Sequence, residues 1–179
     1  GVQTCALPIS TAAQTTANLS QARYSPAGVS EGTIKGYCAG GMTGASVVTS
    51  DKITYSTDTT AAQTTANLSQ ARRNLIGVSD NSTKGYFAGG ISDMYTTLTD
   101  KITYSTDTTA AQTSANLSQS RSNLAGCSGE GTKGYCAGGY TGTTPVLATT
   151  DKITISTDTT VAQTSANLSQ ARWAAAGVS

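Results

Sequence analysis

The sequence predicts an all-β fold of short antiparallel strands, grouped four to a unit. Three observations predict it. One stretch of text recurs at a nearly fixed interval, each recurrence carries four brief runs rich in β-branched, aromatic or small residues, and Gly, Asn and Asp punctuate the gaps. TAAQTTANLSQAR begins at Thr11 and returns unchanged at Thr60; TAAQTSANLSQSR follows at Thr109 and TVAQTSANLSQAR at Thr160. The arginines that close these stretches, Arg23, Arg72, Arg121 and Arg172, stand 49, 49 and 51 residues apart. Self-similarity at such a period marks a repeat architecture, in which each unit buries its faces against its neighbours.

The elements can be justified in order from residues 74–115. NLIGVS (74–79) is short, apolar and β-branched, a first strand. DNST (80–83) has turn chemistry, since Asp and Asn tolerate left-handed backbone. KGYFAGG (84–90) is a second strand, apolar on both faces and ending in a glycine pair. ISDMYTTLT (91–99) is a loop whose text varies between units. DKITYS (100–105) alternates, with Ile102 and Tyr104 on one face and Lys101 and Thr103 on the other, which makes a third strand. TDTT (106–109) is a turn. AAQTSA (110–115) is a fourth strand, polar and small enough for an outer edge that must not recruit other chains. The Asn-Leu-Ser-Gln segment then leads to the next unit.

The repeats so read are residues 11–59, 60–108 and 109–159, with a partial fourth at 160–179. Residues 1–10 stand apart. Gly1–Ile9, GVQTCALPI, has no counterpart in the repeats and reads like a translated sequencing adapter, so a non-native leader is expected there. Four short strands at a period near 50 fit the blade of a β-propeller. Three full blades are expected, with a last strand from residues 11–18 and a first strand from 174–179. Closed propellers have about four to eight blades, so the expectation is an incomplete propeller, an open arc whose further repeats are missing from this fragment.

GYCAGG, GYFAGG and GYCAGG (36–41, 85–90 and 134–139) resemble the end of the second strand of kelch repeats, where a hydrophobic strand closes on two glycines: Gly40 and Gly41, Gly89 and Gly90, Gly138 and Gly139. Tyr55 and Tyr104 resemble the aromatic residue of the kelch third strand, replaced by Ile155 in the last unit. Arg23, Arg72, Arg121 and Arg172 resemble the arginine that precedes a kelch first strand. The resemblance covers residues 11–179. It departs from kelch where Ala-Gln-Thr replaces the tryptophan after the third strand, the sole tryptophan being Trp173. The Gly-Tyr-aromatic-x-Gly-Gly text and the Ser-Thr-Asp-Thr turn also resemble GYFGGG-type repeats of marine phage and environmental bacterial proteins. That looser resemblance implies a virion or cell-surface setting. Glycine and arginine alike are read as structural, because a phosphate-cradling glycine loop needs a following helix that this pattern lacks.

Composition narrows the chemistry. The chain has 37% apolar and 12% charged residues, with 11 basic against 10 acidic. No basic block is present to track phosphates, so no nucleic-acid partner is expected. No apolar run approaches the ~20 residues of a membrane helix, so no membrane insertion is expected either. Histidine is absent, which removes His-based triads and His-ligated zinc, haem or copper; no cofactor or metal is expected. Glu31 and Glu130 occupy matching turns one unit apart and do not suggest a glycosidase pair. Cys38 and Cys136 take the place of Phe87, and Cys127 that of Val29 and Val78, so reduced core thiols are expected, with a Cys127–Cys136 cross-strand disulfide as the sharper alternative. Asp58, Asp107 and Asp158 sit one to a turn, thin for calcium, and are expected to hydrogen-bond their own turn backbone. The arginines are expected to pair with an Asp or with strand carbonyls. Asn18, Asn67, Asn116, Asn167 and Asn81 fit a glycosylation sequon but read as turn geometry.

The segments 42–50, 91–99 and 140–150 vary while the rest stays nearly constant. Met94, Tyr95, Tyr140, Pro145 and Leu147 lie in them and are the candidate binding residues, since loops on a rigid frame suit recognition. The functional expectation is a non-catalytic module that binds protein or glycan, on a phage tail or a cell surface. The alternative is a propeller hydrolase or lyase using Asp and Tyr in the central channel, which a cluster of those residues at the channel mouth would favour.

Overall fold

The computed structural model describes residues 13–129, 131–142 and 146–177. Among these, twelve strands form three four-stranded antiparallel sheets. The first holds β1 (Ala27–Glu31), β2 (Lys35–Ala39), β3 (Ser50–Thr54) and β4 (Thr59–Ala62). The second holds β5 (Ile76–Ser79), β6 (Lys84–Ala88), β7 (Thr99–Thr103) and β8 (Thr108–Ala111). The third holds β9 (Ala125–Gly129), β10 (Lys133–Ala137), β11 (Thr150–Thr154) and β12 (Thr159–Ala162). Every sheet is an up-and-down meander in which each strand pairs with the next along the chain.

The first three strands of each unit lie within a residue or two of their sequence expectations, but the fourth does not. It forms at Thr108–Ala111, and the Gln-Thr-Ser-Ala text after it closes a short 3-10 helix, Thr113–Ala115. The register explains the shift: Ile102 pairs with Thr109 and Asp100 with Ala111, so β8 must begin directly after the turn. The same 3-10 helix recurs at Thr15–Ala17, Thr64–Ala66 and Thr164–Ala166. The last strand expected from residues 11–18 is therefore a 3-10 turn where it is described, residues 11 and 12 lying outside the described residues. The first strand expected at 174–179 is likewise not formed at 174–177, and 178 and 179 lie outside them.

Alternation of side chains gives each sheet two faces, and the sheets stack face to face through them. β1 packs on β5 and β6, and β5 packs on β9 and β10. Val29, Tyr37 and Ala39 of the first sheet meet Phe87, Ile102 and Tyr104 of the second in one buried cluster. Val78, Tyr86 and Ala88 of the second meet Cys136, Ile153 and Ile155 of the third in another. Each large apolar side chain so buried stabilises the fold by ~1.5–3 kcal/mol. Tyr37 and Tyr104 stack with centroids 5.8 Å apart.

Glycine sets how closely the first strands approach. A Cβ on Gly77 would lie 2.0 Å from the Gly28 carbonyl oxygen, and one on Gly126 would lie 2.6 Å from that of Gly77. Beside this column runs a backbone ladder between units. Asn74 N donates to Ser25 O at 3.1 Å, Asn123 N to Asn74 O at 2.9 Å, and Ala174 N to Asn123 O at 2.9 Å. Ser25, Asn74, Asn123 and Ala174 all hold positive φ, between 52° and 56°. Asn and Ser there reflect that requirement, which short polar residues meet at small cost.

Three of the four repeated arginines have buried side chains. Arg23, Arg72 and Arg121 reach Asp51, Asp100 and Asp151 at 2.8, 2.9 and 3.0 Å, every side chain fully shielded from solvent. The same guanidinium groups donate to the Cys38, Phe87 and Cys136 carbonyls. Burial pushes Arg72 downward from its ordinary pKa, with Asp100 opposing. Asn67, Asn116 and Asn167 accept the backbone N–H of Ser50, Thr99 and Thr150 at 2.9 Å, fixing the linker to its sheet. Cys127 is paired in register with Tyr135, and Cys136 with Gly126. Their side chains therefore project from opposite faces. Both are free thiols, so the cross-strand disulfide alternative fails. Burial pushes the Cys136 thiol up to about 12.

Candidate functional site

The second and third strands of each unit are joined by the variable loop, and its side chains gather along one rim. The glycine pairs place them there. Gly89 and Gly90 hold φ of 65° and 103°, and Gly90 N donates to Arg121 O. The residue after each pair then bridges the residue after each repeated arginine: Met42 with Tyr24, Ile91 with Arg73, and Tyr140 with Ser122. The rim thus combines two sets of variable positions, 42, 91 and 140 with 24, 73, 122 and 173.

On this rim Met94 is 78% exposed, Tyr24 58% and Trp173 57%. These are large apolar groups in water on a chain with few of them. Tyr95 and Tyr140 meet edge to face with centroids 5.8 Å apart, and Tyr140 lies 6.1 Å from the Trp173 ring. The three form a continuous aromatic row across three successive units. Tyr95 is seated over the backbone of Gly142, where a Cβ would come within 2.4 Å of its ring. Between the first two loops lies a groove of about 470 Å³ lined by Met42, Ser46, Arg73 and Asp93 among others. Arg73 spans it, donating to Ser46 Oγ at 2.9 Å and Ser92 O at 3.4 Å.

Of the candidate binding residues, Met94, Tyr95 and Tyr140 lie on this rim. Leu147 is half-buried, and its backbone N–H and carbonyl bond Gly139 and Arg172, so it anchors the loop. Pro145 lies outside the described residues. Tyr24, Arg73, Ser122 and Trp173 were missed by sequence reasoning. The signal was present: one position varies directly after an arginine that never does.

A second constellation repeats between the sheets, and it revises the reading of the turn aspartates. The Asp107 backbone N–H bonds Tyr104 O within its turn, but its carboxylate does not bond the turn; it reaches back to the first sheet. Its carboxylate takes Lys35 and Lys52 Nζ, each at 2.7 Å, together with the Tyr37 hydroxyl. Asp158 takes Lys84 and Lys101, again at 2.7 Å, and the Tyr86 hydroxyl. Burial alone would raise these carboxyls, but the hydrogen bonds from lysine and tyrosine outweigh it. Asp158 is pulled down to about 2, and Asp107 well below the carboxylate range. Tyr37 and Tyr86 are driven far up by burial and by the adjacent carboxylate.

These Asp–Tyr pairs join the turn between the third and fourth strands to the second strand of the preceding sheet, and Lys35 also lies 3.3 Å from Glu31 at the end of β1. Each turn carboxylate is already neutralised by two ammonium groups, the arrangement of a structural clasp. Among the described residues no group of three or more Cys, Asp or Glu is placed to hold a metal ion. No described helix is long and apolar enough to cross a membrane. Compared with known proteins, the chain matches no family model and no curated protein.

Proposed function

We propose that the chain is a non-catalytic recognition module, an arc of a kelch-like propeller that presents variable loops on a constant frame to a protein or glycan. The observation that carries the reading is the separation of the two. Constant residues supply the clasps, buried ion pairs and glycine contacts between sheets. Variable residues, aromatic ones among them, collect on one rim. Meander sheets stacked through their faces, with the first strands β1, β5 and β9 side by side, support the propeller reading. Exposed aromatic rings suit binding, since each covers a large area at low conformational cost. A virion or cell-surface setting fits such a module.

The test is a binding screen of the chain against arrayed glycans and surface-protein extracts, repeated with Tyr95→Ala/Tyr140→Ala. A ligand retained by the wild type and lost by the variant supports the rim. A ligand held equally by both, or turnover of a glycan by the wild type, overturns the reading and points to the hydrolase or lyase alternative.

A further inference from the structure

We infer that the two outer faces of the array are complementary, and that a second copy of this chain docks head to tail by placing Asp58 between Lys133, Tyr135 and Lys152. The clasp between units is seen twice inside the chain, and each time a Lys-Tyr-Lys set of one sheet receives the turn aspartate of the next. The third sheet carries the same set, with Tyr135 paired in register to Lys152. Among the described residues no acid reaches it. At the other end Asp58 is exposed, with φ of 51° matching the 52° and 53° of Asp107 and Asp158, and no lysine of a described residue meets its carboxylate.

The apolar surfaces match as well. The third sheet turns Cys127, Tyr135 and Ala137 outward, half-buried, at the positions of Val78, Tyr86 and Ala88. The outer face of the first sheet presents Cys38, Ile53 and Tyr55, at the positions of Phe87, Ile102 and Tyr104, and these three line an open cavity of about 510 Å³ that also reaches Gly77, Gly126 and Gly177 of the later units. Each inner interface joins these same two surfaces, so the outer pair repeats a geometry the chain already uses. Unlike surfaces meeting in this way give a heterologous contact.

One segment must move. Residues 14–28 of the incoming copy occupy the place that residues 163–177 hold on the first. Residues 14–28 are fastened by the buried Arg23–Asp51 pair. Arg172 is exposed and meets no acid among the described residues. Residues 163–177 are therefore the part displaced, and β1 of the incoming copy takes their place against β9.

Sedimentation of the 179-residue chain across a concentration series tests this. The wild type is expected to exceed the mass of one chain as concentration rises. Asp58→Lys sets like charges together and should weaken association on the order of 100-fold. Lys133→Asp/Lys152→Asp should do the same alone. Mixing the two variants places opposite charges at both contacts and should restore association. Circular dichroism and unfolding midpoints should match the wild type, because none of these side chains has an internal ion partner among the described residues. A wild type that stays at one chain's mass throughout, an Asp58→Lys variant that associates as well as wild type, or a mixture that fails to recover would overturn the inference. Loss of ligand binding at the rim would leave it untouched.

Discussion

Lys35 Nζ lies 2.7 Å from the Asp107 carboxylate across a sequence separation of 72 residues, joining the second strand of one sheet to the last turn of the next. Lys84 and Asp158 repeat the contact at the same distance. Interaction between neighbouring units is what stabilises a repeat array, and here a charged clasp accompanies the apolar clusters.

Asp158→Asn should remove one clasp. Hydrogen bonds to a charged group are worth about 1.5–3 kcal/mol, discounted here because the site is partly solvated, so a loss of ~1–2 kcal/mol is expected in urea unfolding. The acid limb should change too. The folded-state pKa of Asp158 is depressed to about 2 against ~3.9 unfolded. Its stabilisation is therefore full above the unfolded value and is lost as pH falls from about 4 towards 2. Wild-type stability should fall through that window, and the variant should fall less steeply.

Gly77→Ala should be severely destabilising, because its Cβ would sit 2.0 Å from a backbone oxygen of the neighbouring sheet. Overpacking that moves backbone costs ~1–3 kcal/mol or more. Gly28→Ala, at the corresponding position, has its nearest contact at 3.8 Å. A thermal melt of both variants should show a large loss for the first and a small change for the second.

The contrast between these positions shows what could be read in advance. The three-strand core of each unit was legible from KGYFAGG and DKITYS, where apolar alternation and flanking turns leave little choice. The fourth strand was not, since Thr, Ala, Gln and Ser carry no periodic signal and pairing with β7 decided its place. The role of Asp107 was hidden for another reason. Its partners Lys35, Tyr37 and Lys52 belong to the preceding unit, so no local pattern connects them. The rim was half legible: Met94 and Tyr95 stood out within variable loops, whereas Tyr24 and Trp173 join it only through the bridge after the arginine.

Arg72→Leu and Arg172→Leu change the same repeat position in two settings. Arg72 is fully buried with Asp100, and removing it strands a buried carboxylate at a cost of ~3–5 kcal/mol. Arg172 is exposed, and its loss should fall within about 0.5 kcal/mol. Chemical denaturation of the two variants measures the difference directly.

Cys136 should resist alkylation by iodoacetamide at pH 8 in the folded protein. It is buried, with its thiol pushed up to about 12, and the thiolate is the reactive form. Half-buried Cys127 should label faster. Peptide mapping by mass spectrometry after timed labelling separates the two, and equal rates would contradict the core placement.

The recognition reading requires that frame and rim be separable, and thermal unfolding of a variant carrying Met94→Ser, Tyr95→Ser, Tyr140→Ser and Trp173→Ser together measures this. One cooperative transition is expected within about 10 °C of wild type, since the two aromatic contacts contribute ~0.5–1.5 kcal/mol each and each kcal/mol moves the midpoint of a chain of this size by ~2–4 °C. Loss of the single transition, or a fall of the midpoint by much more than that, would mean that the rim holds the sheets together, and would contradict the separation on which the recognition reading rests.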